Sequence, residues 1–337
     1  MNVNININMS INMNMKILVV LLLTLACLRP VAAQYDFDAV ERDRMAKGKV
    51  KTQTQWTHEY VDGKPPANGY KSQVTKYNAR GNVTEVSNYD KQGKVISLHV
   101  YQYDNRENRV NFEQYDGNRE KLQRSQRTVY DPKGNKTREY GFDGASPYSN
   151  TFQYDANGRI TEIAYTVENA LVEKRQFKYS GNKTEILGFD KSNVQTFKQE
   201  NTYNDKGLLV MEVQTGNKGN VVHTLNLQYN NAGGVSEEVK KREGDQLDYQ
   251  KLYEYDSANR PTKETTVNTD GTKFVSQEYQ YSNIGDLVFE AWKKTARAQE
   301  SSTRKTIYDA KGLYTDKDCY YASYKLYTLF KFTYEYF

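Results

Sequence analysis

The sequence has little of what most functional signatures are built from. Two cysteines and six prolines occur in 337 residues, with only three histidines. Outside the leader no apolar run reaches 18 residues, which excludes a helical membrane protein. Cys27 lies in a leader-like segment, so Cys319 is the only cysteine left after it and no intrachain disulfide framework is available. Net charge of one sign is also scarce. Lys plus Arg number 47 against 42 Asp plus Glu, and an even balance excludes a strong electrostatic footprint for nucleic acid. What is abundant is tyrosine, at 29 copies against 12 Phe and 2 Trp. With Thr and Val also plentiful, this composition argues against disorder and against a helical bundle.

Met15 to Ala33 reads as a secretory signal: Lys16 opens it, Ile17 to Leu28 is apolar apart from Thr24, and Val31-Ala32-Ala33 fits the small-residue cleavage rule. Cleavage between Ala33 and Gln34 predicts a mature chain exported to the periplasm, cell surface or exterior. Translation from Met15 is an alternative start, and Leu25-Ala26-Cys27 is an imperfect lipidation alternative, since Thr24 replaces an aliphatic residue. With disulfides absent, stability must come from the sheet and its packing; few apolar residues remain once the leader and the tyrosines are set aside, so the core must be thin and rich in tyrosine rings, which bury an apolar body and keep a wet hydroxyl.

A repeat organises the rest. Tyrosine followed by a polar turn recurs at Tyr77, Tyr103, Tyr130, Tyr154, Tyr179, Tyr203, Tyr229, Tyr255, Tyr281 and Tyr308, at spacings of 24 to 27 residues. The turns carry Asp and Gly at fixed offsets: Asp104; Asp131 with Gly134; Asp155 with Gly158; Gly207; Asp256; Asp309 with Gly312. Asp bonds its own backbone two residues on and Gly takes positive φ without steric cost, so each unit closes a tight reversal. A second set of turns falls between the marks, for example at Asp90-Lys91-Gln92-Gly93, making each repeat a hairpin with arms of eight or nine residues. The arms alternate: Ile160, Glu162, Ala164 and Thr166 are expected on one face and Ile163, Tyr165 and Val167 on the other.

The expected fold is therefore all-β: an antiparallel up-and-down meander of about 20 strands from roughly ten hairpin repeats. A flat sheet of that many strands would be on the order of 100 Å wide, so it must coil or curve strongly, with a two-sheet sandwich as the alternative. The expected organisation is a signal peptide over 1–33, a cap segment over 34–49 holding a short helix against the first strand edge, repeats over 50–315 and terminal strands over 316–337. Asp62 to Gly69 reads as a hairpin loop and Ala291 to Arg304 as an extended loop or degenerate hairpin tip.

The Tyr-Asp dipeptide followed by two residues and Gly, best seen in Tyr154-Asp155-Ala156-Asn157-Gly158-Arg159-Ile160, resembles the YD repeats of RHS, wall-associated and teneurin-like proteins. The resemblance covers residues 70 to 315, with Asn at 78, 204 and 230 and Ser at 180 and 282 in place of Asp. It implies a secreted or surface β-wall, in large relatives wound into a hollow shell around a toxic C-terminal domain. A toxin or immunity partner is then the alternative role.

Chemistry is sparse. His58, His99 and His223 are isolated on expected strands, with no Gly-x-Ser-x-Gly elbow and no metal-spaced pair. Cys319 has no flanking motif that would lower its pKa and reads as inert. The Asp-x-x-Gly turns lack calcium-loop spacing, and no carboxylate pair stands out for glycoside hydrolysis. The stretch Glu173 to Tyr179 interleaves Lys and Arg with aromatics, but neighbouring-strand charge pairing explains it better than nucleic acid. An outer-membrane β-barrel is the last rival. Against it, Leu122, Arg124, Gln126 and Thr128 would share one face, and Phe337 aligns with Glu335, Thr333 and Lys331 while Phe330, Phe332, Tyr334 and Tyr336 lie opposite. The expectation is a non-enzymatic exported binding or scaffold surface for a glycan or protein ligand, with no cofactor or metal and no nucleic acid partner.

Overall fold

The computed structural model describes residues 37–337. The leader and the Ala33/Gln34 cleavage site lie outside the described residues. Among the described residues one α-helix, α1 (Phe37–Lys47), precedes 22 antiparallel strands numbered β1 to β22 in chain order. Each strand pairs with its chain neighbours. In addition β1 (Val50–Glu59) pairs along its length with β22 (Leu326–Tyr336), with Gln53 opposite Tyr334 and His58 opposite Leu329. That pairing closes the sheet into one barrel. The expected coil, spiral or sandwich is thus corrected: a sheet this long relieves its edges by joining them, which satisfies both rows of unpaired backbone groups at once.

Closure also changes the helix's role. No free strand edge remains for α1 to cap, and it lies instead across the turns at one end of the barrel. Asp38 in its first turn and Arg44 and Lys47 in its last complement the helix dipole. Arg44 donates to the Gly312 carbonyl, reaches Asp286 Oδ1 at 2.8 Å and stacks over the Tyr308 ring at 4.6 Å. Met45, completely buried, packs with Val50, Tyr77, Leu313, Tyr314 and Phe332. Gly81 is required here twice over: its φ is +81°, and a Cβ would come within 2.0 Å of the Arg42 carbonyl oxygen.

The strands alternate as expected, but bulges reset the faces. Gln153 opposes Glu162 while Tyr154 opposes Ile160, leaving Thr161 as an extra residue. Ile160 and Ile163 therefore share a face and a buried cluster, contrary to simple alternation. The same irregularity separates Leu122, opposite Tyr115, from Arg124, opposite Gln114. The Asp62–Gly69 loop does connect β1 to β2 (Tyr70–Tyr77). The expected loop at Ala291–Arg304 is shorter, spanning 293–301, because β19 (Leu287–Trp292) and β20 (Ser302–Tyr308) reach into it.

Which face is concave follows from burial. Side chains converge on the inside of a closed sheet and diverge on the outside, and interior positions alternate with exterior ones. Gln53, Thr75, Tyr77, Phe152, Ile163, Phe177, Ile186, Asn201, Leu227, Tyr314, Cys319 and Phe332 are all buried and all share one register face. Many others on that face, among them Gln199, Tyr253 and Tyr279, are only half-buried. The lumen is accordingly not filled like a compact core.

Candidate functional site in the barrel lumen

The turns at the helix end are built the same way, apart from a shorter reversal between Ser180 and Lys183. The Asp or Asn after the marking tyrosine accepts backbone N–H bonds from residues two and four on: Asp104 from Arg106 and Asn108, Asp155 from Asn157 and Arg159, Asp256 from Ala258 and Arg260, Asp309 from Lys311 and Leu313. Asp131 accepts from Asn135. Asn78 and Asn204 do the same, and Ser282 Oγ accepts from Asp286. Gly134, Gly158, Gly207 and Gly312 have positive φ. The turn carboxylates are consumed by backbone donors. Among the described residues no group of three or more His, Cys, Asp or Glu could hold a metal ion.

The marking tyrosines point inward and bond the preceding repeat. Tyr103 Oη donates to the Val83 carbonyl at 2.9 Å, Tyr154 to Lys136, Tyr179 to Ile160, Tyr229 to Leu209, Tyr255 to Val235, Tyr281 to Pro261 and Tyr308 to Leu287. Each acceptor stands six residues after the previous mark. Tyr334 donates to Tyr314 in the same way at 2.6 Å, an eleventh mark hidden in the sequence because no Asp-Gly turn follows it. Tyr77, Tyr130 and Tyr203 occupy the same register position.

With that frame fixed, the residue nine positions after each mark faces the lumen. On β9 (Ile160–Val167) it is Ile163; on β11 (Lys183–Asp190), after a shorter turn, the equivalent is Ile186. These pack with Phe152 of β8 (Pro147–Tyr154) and Phe177 of β10 (Ala170–Ser180) as an apolar arc. On β13 (Leu209–Gly216), β15 (Val235–Arg242), β17 (Pro261–Val267) and β19 it is Glu212, Glu238, Glu264 and Glu290, each 26 residues after the last. On β21 (Tyr314–Tyr321) it is Lys317.

This charged arc is internally bonded. Glu212 takes Gln199 Nε2 and His223 Nε2, each at 2.9 Å. Glu238 accepts from Tyr249 Oη at 2.6 Å, Glu264 from Ser276 Oγ at 2.7 Å with Lys251 Nζ 3.1 Å away, and Glu290 sits 3.3 Å from Arg304 Nη1. Burial pushes the Tyr279 phenol up to about 12, with the Glu264 and Glu290 carboxylates adding to it. Tyr253 rises for the same reasons, beside Glu238 and Glu264. Burial pushes the Lys317 ammonium down to about 8; its Nζ lies 3.7 Å from the Tyr314 ring centre.

The three histidines are not brought together. His58 faces outward and is buried under its loop with Nδ1 2.9 Å from the Pro66 carbonyl, His99 lies against Phe112 with burial lowering its pKa, and His223 meets Glu212. Cys319 is a buried free thiol that burial pushes up. The glutamate ladder does not stand out in the sequence, although its 26-residue spacing is written there: the repeat is most visible in its turn residues, and Glu is common on any strand.

No protein-family model matches the chain and no curated protein matches it, so the YD resemblance stands on the turns alone. Among solved structures, the chain is similar to a crystal structure of TcdB2-TccC3-Cdc42, at 13% identity and a TM-score of 0.26. That likeness covers 77% of this chain and 16% of the other. A porin-like protein from Bacteroides uniformis matches at 13% identity and a TM-score of 0.29, covering 63% of this chain and 95% of that one. Another from Bacteroides vulgatus matches at 9% and 0.23, covering 56% and 94%. At such TM-scores nothing about this chain's role follows from them. Among the described residues no helix is long and apolar enough to cross a membrane.

Proposed function

We propose that this chain is an exported, non-catalytic envelope barrel that holds a glycan or a protein segment against its lumen wall. Closure is the observation that carries the reading. It turns the tyrosines, the glutamate ladder and the basic groups Lys251, Arg304 and Lys317 toward one enclosed space, where carboxylates and amides can bond hydroxyls and rings can stack. A closed sheet has no free edge for partner strands, which weighs against a shell fragment that acts by extension. The test is binding of the exported chain to a glycan array, with affinity capture of protein partners, repeated with Glu264→Gln and Glu290→Gln together. The expected result is a ligand whose affinity falls about tenfold in the double variant; no ligand by either route overturns the reading.

A second reading, an outer-membrane β-barrel, is favoured by the same closure, because a spanning sheet must have no open edge. The outward face sets its cost. Lys178 and Lys198 flank Glu185 at 3.5 and 2.6 Å, Lys183 pairs with Glu200 at 2.7 Å and Lys263 with Glu254 at 2.8 Å, and a cation at a bilayer midplane costs about 2–4 kcal/mol. Stepwise conductance of the purified chain in planar bilayers would favour the spanning reading.

A further inference from the structure

The outward face is not uniform from end to end. At the end opposite α1, the outward pair nearest each hairpin turn is largely apolar: Tyr89 opposite Val95, Tyr115 opposite Leu122, Phe142 opposite Pro147. Farther round, Val221 opposes Thr215 and Leu247 opposes Lys241. Leu122, Val172 and Val221 are exposed by 40%, 44% and 40%, so this collar is open to solvent.

At this end Lys91, Lys241 and Arg242 pair with Glu59, Asp245 and Asp248, but three other cations are laid on aromatic rings. Lys71 lies 4.1 Å over the Tyr89 ring, Arg119 5.6 Å over Tyr115 and Lys174 5.3 Å over Phe189. Among the described residues none of the three forms an ion pair, whereas Lys178, Lys183, Lys198 and Lys263 all do. The nearby turn aspartates Asp90 and Asp190 are occupied by backbone N–H groups. Cations with stems laid along aromatic rings and no carboxylate of their own suit an anionic surface beside an apolar layer.

Depth decides what that surface is. Outward residues recur about every 7 Å along a strand, and the collar is one residue deep. A spanning barrel needs an apolar band about 25 Å tall, while interfacial elements sink only about 5–10 Å into the headgroup and acyl boundary. We propose that the barrel rests end-on, by this collar, on an anionic lipid surface, its wall standing in water. The proposal rests on the aqueous envelope reading above and adds where the barrel docks.

The chain recovered after export is tested by flotation with phosphatidylcholine vesicles, with and without phosphatidylglycerol. Flotation with the anionic vesicles is expected, weakening with salt. The variant Leu122→Gln/Val172→Thr/Val221→Thr should bind about tenfold more weakly or worse, with unchanged circular dichroism and unchanged capture of any lumen ligand. Val129→Thr/Ile307→Thr, which removes exposed apolar groups at the helix end, should bind as the parent does. Failure to float with either vesicle, or equal flotation of the collar variant, overturns the proposal. Pairing of two chains that only the collar variant abolishes, without flotation, would overturn it in favour of a second copy.

Discussion

Two arcs of the lumen wall are made from one repeat and have opposite interiors. Around β8 to β11 the inward positions include Phe152, Ile163, Phe177 and Ile186, buried together, with the Glu173–Arg175 ion pair beside them on the same face. Around β13 to β19 the positions matching Ile163 and Ile186 are Glu212, Glu238, Glu264 and Glu290, half-buried and held by Gln199, Tyr249, Ser276 and Arg304. Both arcs share the Asp-bonded turn and the tyrosine that reaches back to the previous repeat. Architecture is therefore carried by the turn, and the residue nine positions on is left free to differ. That freedom lets one arc contribute apolar burial and the other a polar surface that water and ligands can reach.

The largest expected effect is alkaline. Tyr279 and Tyr321 titrate at about 12 in the folded chain, above the value of about 10 in an unfolded one. A phenol whose folded pKa is raised contributes stability that is complete below pH 10 and is lost as pH rises through about 12. Circular dichroism should show the barrel unfolding across that window. The two arcs should then part. Glu264→Gln removes a carboxylate that disfavours the Tyr279 phenolate, so less stability is lost between neutral pH and about pH 12 than in the parent, while Ile186→Ala lowers stability about equally at every pH and leaves that loss unchanged. Equal alkaline losses in the two variants would break the distinction. In urea at neutral pH, Ile186→Ala, at a side chain only 2% exposed, should cost about 2–5 kcal/mol. Glu264→Gln should cost about 1, since an amide still accepts from Ser276.

The turns were legible in the sequence because their chemistry is local: Asp155 and Gly158 act within a few residues of each other. Strand type, hairpin order and the short helix, observed at Phe37–Lys47, followed from equally short-range patterns. Closure was not legible. The pairing of Gln53 with Tyr334 joins residues 281 positions apart, and no local pattern announces it. The terminal strand's aromatic face looked wrong for a closing strand, yet Phe332 and Tyr334 close the barrel by facing inward. The bulge at Thr161 hid the shared face of Ile160 and Ile163, because one extra residue inverts the alternation on its far side. The glutamate ladder had to wait for both, since a 26-residue spacing acquires meaning only once the inward face is known.

The smallest expected effect tests the premise that both arcs hang on one frame. Tyr179 Oη donates to the Ile160 carbonyl at 2.8 Å in the apolar arc, and Tyr281 Oη to the Pro261 carbonyl at 2.9 Å in the charged one. Phe in place of either removes one neutral hydrogen bond without changing ring volume. Each should cost about 0.5–1.5 kcal/mol, toward the low end because a half-buried carbonyl can recruit water. The two urea midpoints should agree within about 0.5 kcal/mol, the precision to which independent sites are compared. A loss at Tyr281 well beyond that would mean the hydroxyl also supports the polar network of Glu264 and Tyr279, so that frame and lining are coupled there. Equal losses would leave the residue nine positions on as the place where the arcs diverge.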